Sequence, residues 1–533
     1  MKSKNKALFI CLSGNGGLNF ASLKKMIFYA YKFGYNQVEL GLDDMIKVED
    51  EPYYGYLRGG YTIDELKQLD NYAETLGIEL IPSCQFLAHF GYLNKIPEYD
   101  SIIDIDDILL IDDERTYKLI ENIFICLRKA FKTNKINIAF DEANHVGLGK
   151  YLEKHGYHDK FSLLSKHLNK VLSIANKYGF KAHMWSDMFF KLVNNGLYYS
   201  SDVTFTNEQL DLIPKDVNLC YWDYYTKDEA TLNHMMKQHL LIDKDCYFAG
   251  TIFTCSGFAP SNLASIDLLK TQIPLAKRNG IKNYIITLWP DNGNDCSYFN
   301  ALPGLFFASK LIDGMEEKDI NYDEFKDIVG LDFKKYLVLD KLNISFYNQD
   351  LKQVNVTCKS LLYNDLFLGW KDYELKKILP IDYKSVVLEL DQTIPFISNY
   401  EVKLRFIKLR HLANCLFYKY NLGIKTRLYY KTRDYKALKK LIPIYEDVLS
   451  SLLDFRNAFY DEWMNENKPH GWDVQEIRLG GLYFRVQNCK NRLLDFINGK
   501  IDKIEELDEI LLKYAKFDSL FNSYQGFVTV RNI

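Results

Sequence analysis

Two adjacent carboxylates are the residues of this chain best suited to chemistry. Asp141 and Glu142 follow a short apolar run, and the stretch 137–142 reads as a strand that ends in both acids. Paired carboxylates are typical of enzymes that cleave glycosidic bonds. Burial beside a second carboxylate raises the pKa of one member of such a pair, which keeps a general acid protonated near neutral pH. We therefore predict that Glu142 donates a proton and that Asp141 orients or stabilises charge beside it.

Three further predicted strands end in acids that have aromatic neighbours. The fifth strand supplies Trp185 and Asp187, and the eighth supplies Trp289 and Asp291. The sixth supplies Tyr221, Trp222, Asp223 and Tyr224. Aromatic rings offer a broad apolar face, and carboxylates accept hydrogen bonds from hydroxyl groups, so the set suits a sugar. An Asp at a strand end also commonly caps the following helix, and that alternative stays open for each acid alone. Acids at four strand ends together favour a functional site.

The order of the predicted elements brings these acids to one end of a barrel. Eight candidate strands alternate with amphipathic helices, at 7–13, 37–42, 78–84, 137–142, 181–187, 217–223, 247–253 and 283–290. The clearest helix, 63–75, follows Thr62, with Glu65 three residues further on, which is a capping box. This alternation fits a (β/α)₈ TIM barrel better than an open doubly wound sheet. Active sites of such barrels lie at the C-terminal ends of the strands.

Beyond the barrel pattern the strand signal gives way to helical spacing. The segments 401–422, 434–465 and 487–512 are predicted helices, and Lys-Pro-His-Gly-Trp at 468–472 is a clear break between two of them. We predict an α/β catalytic barrel at 1–325 and an α-helical domain at 326–533.

Composition excludes several function classes. The chain has 67 basic and 70 acidic residues, a net charge of −3, so it lacks the basic surface that nucleic-acid binding requires. No apolar run approaches the ~20 residues of a membrane span, and residues 7–12 read as a first strand rather than a signal peptide. Ten scattered cysteines without a Cys-x-x-Cys pair are typical of reduced thiols. We predict a cytoplasmic protein with neither nucleic-acid nor membrane partners.

Two weaker motifs favour no cofactor. The glycine-rich stretch 14–17 lacks the third glycine of a dinucleotide-binding loop and the Lys-Ser/Thr of a P-loop. Four histidines raise a metal-dependent hydrolase as an alternative, namely His145, His155, His158 and His183. Such a barrel normally carries a histidine pair near the end of its first strand, and this chain has none there. We predict neither a metal nor an organic cofactor.

The site motifs also carry a family resemblance. Asp141-Glu142-Ala143 and Met184-Trp185-Ser186-Asp187 resemble the β-N-acetylhexosaminidases of glycoside hydrolase family 20. One bacterial, intracellular branch with a C-terminal helical domain is similar over the stretches 141–190, 221–225, 257–260, 287–289 and 467–481. The resemblance implies a glycoside hydrolase that removes terminal β-linked GlcNAc or GalNAc from a small oligosaccharide or glycoside. It also implies a homodimer formed through the helical domain.

This family works without an enzyme nucleophile, an exception to the two-carboxylate scheme. The substrate's 2-acetamido carbonyl attacks the anomeric carbon and forms an oxazolinium intermediate with net retention. The resemblance implies that Asp141 holds the acetamido N–H and that Glu142 protonates the leaving oxygen and then activates water. Tyr221 is implied to hydrogen-bond the acetamido carbonyl, with Tyr224 as the alternative.

Further residues are implied to surround the sugar. Trp289 would form the floor of the pocket and Asp291 would bind distal hydroxyls. His89 and Arg58 would also bind substrate, as would the aromatic residues Trp185 and Trp222, whereas Asp187 and Asp223 are more consistent with supporting roles.

Two departures from the family pattern bear most directly on sugar binding. Gly14 stands where family members carry an arginine that grips the sugar's 3- and 4-hydroxyls, and Phe253 and Cys255 lie in a loop that usually brings tryptophans. Two alternatives therefore stay open, a related glycosidase of altered sugar specificity and a non-catalytic sugar-binding relative.

Overall fold

The computed structural model describes residues 3–291, 293–344, 350–377, 380–513 and 524. The chain forms two compact units. The first comprises Met1–Ile252, Ile266–Trp289 and Leu305–Ile320, and the second comprises Phe253–Ser265, Pro290–Gly304 and Asn321–Ile533. Two loop segments from the barrel half of the sequence thus belong to the second unit. The predicted domain boundary after residue 325 stays a prediction.

The first unit contains a closed barrel of eight parallel strands, which confirms the predicted fold. The strands are β1 (Asn5–Cys11), β2 (Gln37–Gly41), β3 (Glu79–Ser83), β4 (Lys135–Asn137), β5 (Lys181–Trp185), β6 (Val217–Trp222), β7 (Tyr247–Thr251) and β8 (Asn283–Leu288). Around the barrel the order is β1-β8-β7-β6-β5-β4-β3-β2, and every neighbouring pair is parallel. A short antiparallel hairpin, Ile103–Ile105 with Ile108–Leu109, lies in the β3–β4 connection.

Helices connect the strands. They are Phe20–Phe33, Ile63–Thr75, Glu114–Ala130, Lys150–His155, Lys160–Lys177, Asp187–Val193, Asn207–Leu212, Glu229–Ile242, Asn262–Arg278 and Leu302–Asp313. The predicted capping box is confirmed, since the Thr62 side chain accepts from the Glu65 N–H and the Glu65 carboxylate accepts from the Thr62 N–H.

The fourth predicted strand was wrong over most of its length. β4 ends at Asn137, and residues 138–142 leave the strand conformation, with positive φ at Ala139 (57°), Phe140 (72°) and Glu142 (58°). The Asn137 side chain accepts a hydrogen bond from the Ala139 N–H at 3.0 Å. An Asn that bonds the backbone two residues on turns the chain out of a strand. The acid pair therefore lies in a turn rather than on a strand.

Side chains alternate between the barrel interior and the surrounding helices. The interior cluster consists of Ala7, Phe9, Cys11, Ala139, Trp185, Cys220, Tyr247, Ala249 and Ile285, with Trp222 and Trp289 partly buried against it. Three tryptophans from the C-terminal ends of β5, β6 and β8 thus share one face with the start of the acid-bearing turn.

The second unit is mainly helical. Its helices are Tyr322–Val329, Phe333–Tyr336, Thr357–Tyr363, Asp372–Leu375, Tyr383–Thr393, Tyr400–Lys419, Leu422–Lys431, Tyr435–Glu466, Trp472–Ile497 and Glu505–Asp508. The predicted break at 468–472 is confirmed. The helix predicted at 487–512 was wrong in its bounds, because it begins at Trp472 and ends at Ile497, just before Gly499 with φ of 71°.

None of the ten cysteines, all within the described residues, forms a disulfide. No helix in the described part of the chain combines the length and apolar character needed to cross a membrane.

Candidate active site

Asp141 is held as an anion by two partners. Its Oδ1 accepts from Gln85 Nε2 at 2.8 Å, and its Oδ2 lies 3.4 Å from His89 Nε2. Burial alone would raise the pKa of Asp141, but the charge of His89 and the Gln85 hydrogen bond hold that pKa below its usual value. Asp141 therefore presents a fixed negative charge.

Glu142 has the opposite tendency. Its backbone N–H donates to Asp187 Oδ2 at 3.1 Å, while its side chain is half exposed. Partial burial and the negative charge of Asp141 raise the pKa of Glu142, and Lys191, 4.0 Å from its Oε1, opposes that shift. Of the two acids, Glu142 is the one that favours the protonated form.

His89 lies between the two acids in a left-handed backbone conformation, with φ of 63°. Its Nε2 is 3.4 Å from Asp141 Oδ2 and 3.8 Å from Glu142 Oε2, and its Nδ1 is 3.8 Å from Asp107 Oδ2. Burial would lower the pKa of His89, but these carboxylates raise it to about 10. The imidazole is therefore a cation at neutral pH.

Asp187 is a buried support for its neighbours. Besides accepting from the Glu142 N–H, it accepts from Trp222 Nε1 at 3.3 Å and pairs with Lys191 Nζ at 2.9 Å. Burial raises the pKa of Asp187, and the Lys191 charge opposes that shift. The side chain thus bonds both the backbone of the acid pair and one aromatic ring, and its predicted supporting role stays a prediction.

Aromatic residues from β6 and β8 lie together. Trp289 Nε1 donates to Tyr224 Oη at 3.3 Å, and the Tyr224 ring lies 5.2 Å from the Trp222 ring. Trp185 is only 1% exposed, and the centroid of its ring lies 6.1 Å from that of Trp289. Trp185 therefore packs beneath the partly buried rings, inside the barrel.

Tyr221 and Tyr224 have different surroundings. Tyr221 is fully buried on the outer face of β6, where its ring stacks on His239 at 4.6 Å and its hydroxyl donates to Asp223 Oδ2 at 2.7 Å. Asp223 also accepts from the N–H groups of Tyr225 and Thr226, so this acid closes a turn. This placement favours Tyr224, the alternative, over Tyr221 as the residue that contacts substrate.

Arg58 contacts the loop after β1, which contains Gly14. Its Nε donates to Asp44 Oδ2 at 2.5 Å, and its Nη2 donates to the carbonyl oxygen of Gly14. The guanidinium from the loop after β2 therefore lies against the loop after β1.

Four polar residues of this site were missed in the sequence: Asp43, Asp44, Gln85 and Lys191. Asp43 accepts from the Gln85 N–H at 2.9 Å, and burial raises its pKa to about 6. Asp43 and Asp44 follow β2 and Gln85 follows β3, so the strand-end signal that selected the other acids would have found them.

The remaining residues singled out in the sequence differ in their surroundings. Asp291 is exposed and belongs to the second unit together with Phe253 and Cys255, so its predicted role toward sugar hydroxyls stays a prediction. His145 pairs with Asp106 at 2.6 Å on the surface. Among the described residues, no three His, Cys, Asp or Glu side chains are grouped to hold a metal.

A known family model matches part of the second unit. Residues 334–523 match the family model of the Glycoside Hydrolase 20C C-terminal domain. Over these residues, the match confirms the resemblance to glycoside hydrolase family 20. No curated protein sequence matches the chain.

Several solved structures are also similar to the chain. The exo-β-N-acetylglucosaminidase of Vibrio harveyi, in complex with N-acetylglucosamine, is 15% identical with a TM-score of 0.46, over 62% of this chain and 57% of that one. The β-N-acetylhexosaminidase of Bacteroides fragilis is 18% identical with a TM-score of 0.45, over 61% and 69%. The chain spans less than two thirds of the length of the Vibrio protein.

Proposed function

We propose that this chain is an exo-acting β-N-acetylhexosaminidase that hydrolyses terminal β-linked GlcNAc or GalNAc with retention. The observation that carries the proposal is the opposite electrostatic environment of two adjacent acids. His89 and Gln85 lower the pKa of Asp141, whereas partial burial and Asp141 raise the pKa of Glu142. Titratable pairs whose environments drive their pKa values apart mark an acid and a charge stabiliser. The family match of residues 334–523 supports the same class of enzyme.

In the first step the substrate's acetamido carbonyl oxygen attacks the anomeric carbon. Glu142 donates its proton to the glycosidic oxygen, the bond to the leaving group breaks, and an oxazolinium ion forms. The Asp141 carboxylate accepts from the acetamido N–H and stabilises the positive charge that develops there. In the second step the Glu142 carboxylate takes a proton from water, which attacks the anomeric carbon and opens the oxazolinium ring. Two displacements at one carbon give net retention.

The Tyr224 hydroxyl is proposed to donate a hydrogen bond to the acetamido carbonyl oxygen. Burial raises the pKa of Tyr224 well above its usual value, so the hydroxyl stays protonated and remains a donor. Trp289, which bonds the same hydroxyl, is proposed to face the apolar side of the sugar ring. Trp222 and Trp185 hold these two rings in place.

Arg58 is proposed to bind the sugar hydroxyls that an arginine at position 14 binds in family members, because Gly14 has no side chain. It is anchored by Asp44 and by the Gly14 carbonyl, and it keeps about a quarter of its side chain exposed, 24%. A guanidinium anchored from another loop supports sugar binding, and its different origin motivates the alternative of a changed sugar specificity.

The activity is tested by release of 4-nitrophenol from its β-GlcNAc, β-GalNAc and β-glucose glycosides. We expect turnover of one or both N-acetylhexosaminides and none of the glucoside, because the glucoside lacks the acetamido group. EDTA treatment is expected to leave the rate unchanged, since every proposed step uses side chains or the substrate itself. Turnover of the glucoside alone would indicate altered specificity. Calorimetric binding of GlcNAc without turnover of any glycoside would indicate a sugar-binding relative.

We further propose a homodimer formed through the helical unit. Ile477 and Phe484 lie about two turns apart on one face of Trp472–Ile497 and are 72% and 67% exposed. Apolar side chains exposed side by side are typical of protein interfaces. Light scattering should give twice the mass of one chain, and Phe484→Glu should halve that mass; a monomeric wild type would contradict the proposal.

A further inference from the structure

The segment that carries the acid pair is strained. Ala139, Phe140 and Glu142 all adopt positive φ, at 57°, 72° and 58°. Side chains other than glycine are disfavoured in this region, and such strain persists only where the surroundings over-determine it. Some part of the barrel must therefore hold residues 138–142 in this conformation.

A buried polar chain inside the barrel meets the start of the segment. Asn137 Oδ1 accepts from the Ala139 N–H at 3.0 Å, and Asn137 Nδ2 donates to Glu39 Oε2 at 3.2 Å. Glu39 Oε1 in turn lies 3.2 Å from His183 Nε2. Asn137 and Glu39 are 0% exposed and His183 is 2% exposed.

The backbone is tied at further points. The Ile138 N–H donates to the His183 carbonyl at 2.9 Å, and the Ala139 carbonyl accepts from the Trp185 N–H at 2.9 Å. At the other end of the segment, Asp187 accepts from the Glu142 N–H at 3.1 Å. Ala139 is the first residue with positive φ, and the hydrogen bond from its N–H to the Asn137 side chain holds it in that conformation.

Glu39 fixes the rotamer of Asn137. A carboxylate inside a barrel is costly unless it is paired, and an apolar side chain would fill the same space more cheaply. Because Glu39 can only accept at Oε2, the amide of Asn137 must turn its nitrogen toward Glu39 and its oxygen toward Ala139. The carboxylate thus selects the orientation that makes the turn.

We propose that Glu39 and Asn137 are positioning residues that set the backbone of Asp141 and Glu142 without touching substrate. The inference rests on the proposed hexosaminidase activity for its kinetic readout. It predicts that the hydrogen bond between positions 39 and 137 controls kcat, whichever side chain is the donor.

Exchanging the donor and the acceptor tests this directly. Asn137→Asp keeps an acceptor for the Ala139 N–H but places a carboxylate against Glu39. Adding Glu39→Gln restores a hydrogen bond in which the new amide nitrogen at position 39 donates to the new carboxylate at position 137. The amide oxygen at position 39 can still accept from His183. We expect Asn137→Asp to lower kcat by at least about tenfold with little change in KM, because small displacements of reacting groups cost large factors in rate. The double variant should return to within about threefold of wild type.

The matched control is Gln37→Glu. Gln37 Nε2 donates to Glu79 Oε2 at 2.7 Å, so this change also sets a carboxylate against a glutamate in the same barrel, away from residues 138–142. It should lower the unfolding midpoint while kcat of the folded enzyme stays unchanged. Loss of kcat in this control equal to that in Asn137→Asp would overturn the inference.

The second readout is amide hydrogen exchange of the peptide that contains Ala139. It should be faster in Asn137→Asp and return to the wild-type rate in the double variant. A wild-type kcat in Asn137→Asp, or a loss that Glu39→Gln does not recover, would overturn the inference. If Asn137→Asp fails to fold, recovery of folded protein in the double variant supports the pairing and its absence overturns it. If wild type cleaves no glycoside, the proposed function fails and hydrogen exchange alone decides this inference.

Discussion

Asp141 and Glu142 are neighbours in sequence with different electrostatic tasks. The charge of His89 and the Gln85 amide favour the anion at Asp141, whereas partial burial and the charge of that anion raise the pKa of Glu142, a shift that Lys191 and His89 oppose. Each acid therefore depends on the other, and the cationic His89 acts on both. Their pKa values should respond together when that cation is removed.

His89→Gln tests this coupling through the pH dependence of kcat/KM. His89 lowers the pKa of Asp141 and also that of Glu142, so its removal should raise both. The acid limb, set by ionisation of Asp141, and the alkaline limb, set by deprotonation of Glu142, should both move to higher pH. Lys191→Met removes a charge that lowers the pKa of Glu142 and should raise the alkaline limb alone. A shift of either limb to lower pH in His89→Gln would contradict this assignment.

The two tyrosines separate a catalytic role from a structural one. Tyr224→Phe should lower kcat about 10²-fold, the usual effect of removing one donor to a developing oxyanion. Tyr221→Phe should leave kcat nearly unchanged but destabilise the fold by about 1–3 kcal/mol, because it removes the hydrogen bond to the buried Oδ2 of Asp223. Steady-state kinetics and urea unfolding of both variants measure the difference, and the reverse pattern would return the role to Tyr221.

At the scale of elements, the sequence defined seven of the eight strands to within two residues. Apolar runs bounded by turn residues carry that information locally. The fourth strand was wrong because Asn137 bonds its own backbone and because Ala139 and Phe140 adopt positive φ, which neither residue type signals. The Asn at position 137 is the sequence signal for this turn, because Asn side chains commonly bond the backbone two residues further on.

The candidate site was predictable in part for the same reason. Acids and aromatics at strand ends are visible in sequence, and alternation along β6 already sets Tyr221 opposite Trp222. The contact of Arg58 with Gly14 and that of Gln85 with Asp141 join separate loops, whose conformations depend on packing rather than on local pattern.

Ala139→Gly tests whether the turn is strained. Glycine adopts positive φ without penalty, so the variant should gain about 1 kcal/mol of stability from relief of backbone strain. This gain should offset the destabilisation caused by the lost methyl group and by the higher entropy of the unfolded chain. Ala182→Gly, in β5 at negative φ, loses the same methyl group without relief. Denaturant unfolding should therefore show Ala139→Gly to be the less destabilising change by about 1 kcal/mol. Equal destabilisation would contradict the strain.

At the scale of the whole molecule, the second unit incorporates loops that follow β7 and β8 in sequence. Asp295, in one of these loops, pairs with Lys359 at 2.6 Å and accepts from Gln475 at 2.9 Å, and its carbonyl accepts from Lys408 at 2.7 Å. Asn262, at the end of the segment that follows β7, donates to Asp340 at 3.0 Å. These partners all lie beyond residue 325.

A chain of residues 1–325 is therefore expected not to fold cooperatively. It would leave Asp295 without its cation, and removing one partner of a buried pair typically costs about 3–5 kcal/mol. Near-UV circular dichroism and urea unfolding of the fragment, compared with the full chain, measure the effect. In the full chain, Lys359→Met should lower the free energy of unfolding by a similar amount. A sharp, native-like transition of the fragment would contradict this dependence and would support a domain boundary at 325.

The most direct test of the central claim is hydrolysis of 4-nitrophenyl β-N-acetylhexosaminides by Glu142→Ala with and without azide. Wild type should turn over, the variant should fail in the step that needs a base, and azide should restore the rate and yield the β-glycosyl azide. Glu153→Ala, at an exposed acid on Lys150–His155, should behave as wild type. Full activity of Glu142→Ala without azide, or an α-configured azide product, would contradict Glu142 as the acid/base of a retaining hydrolase.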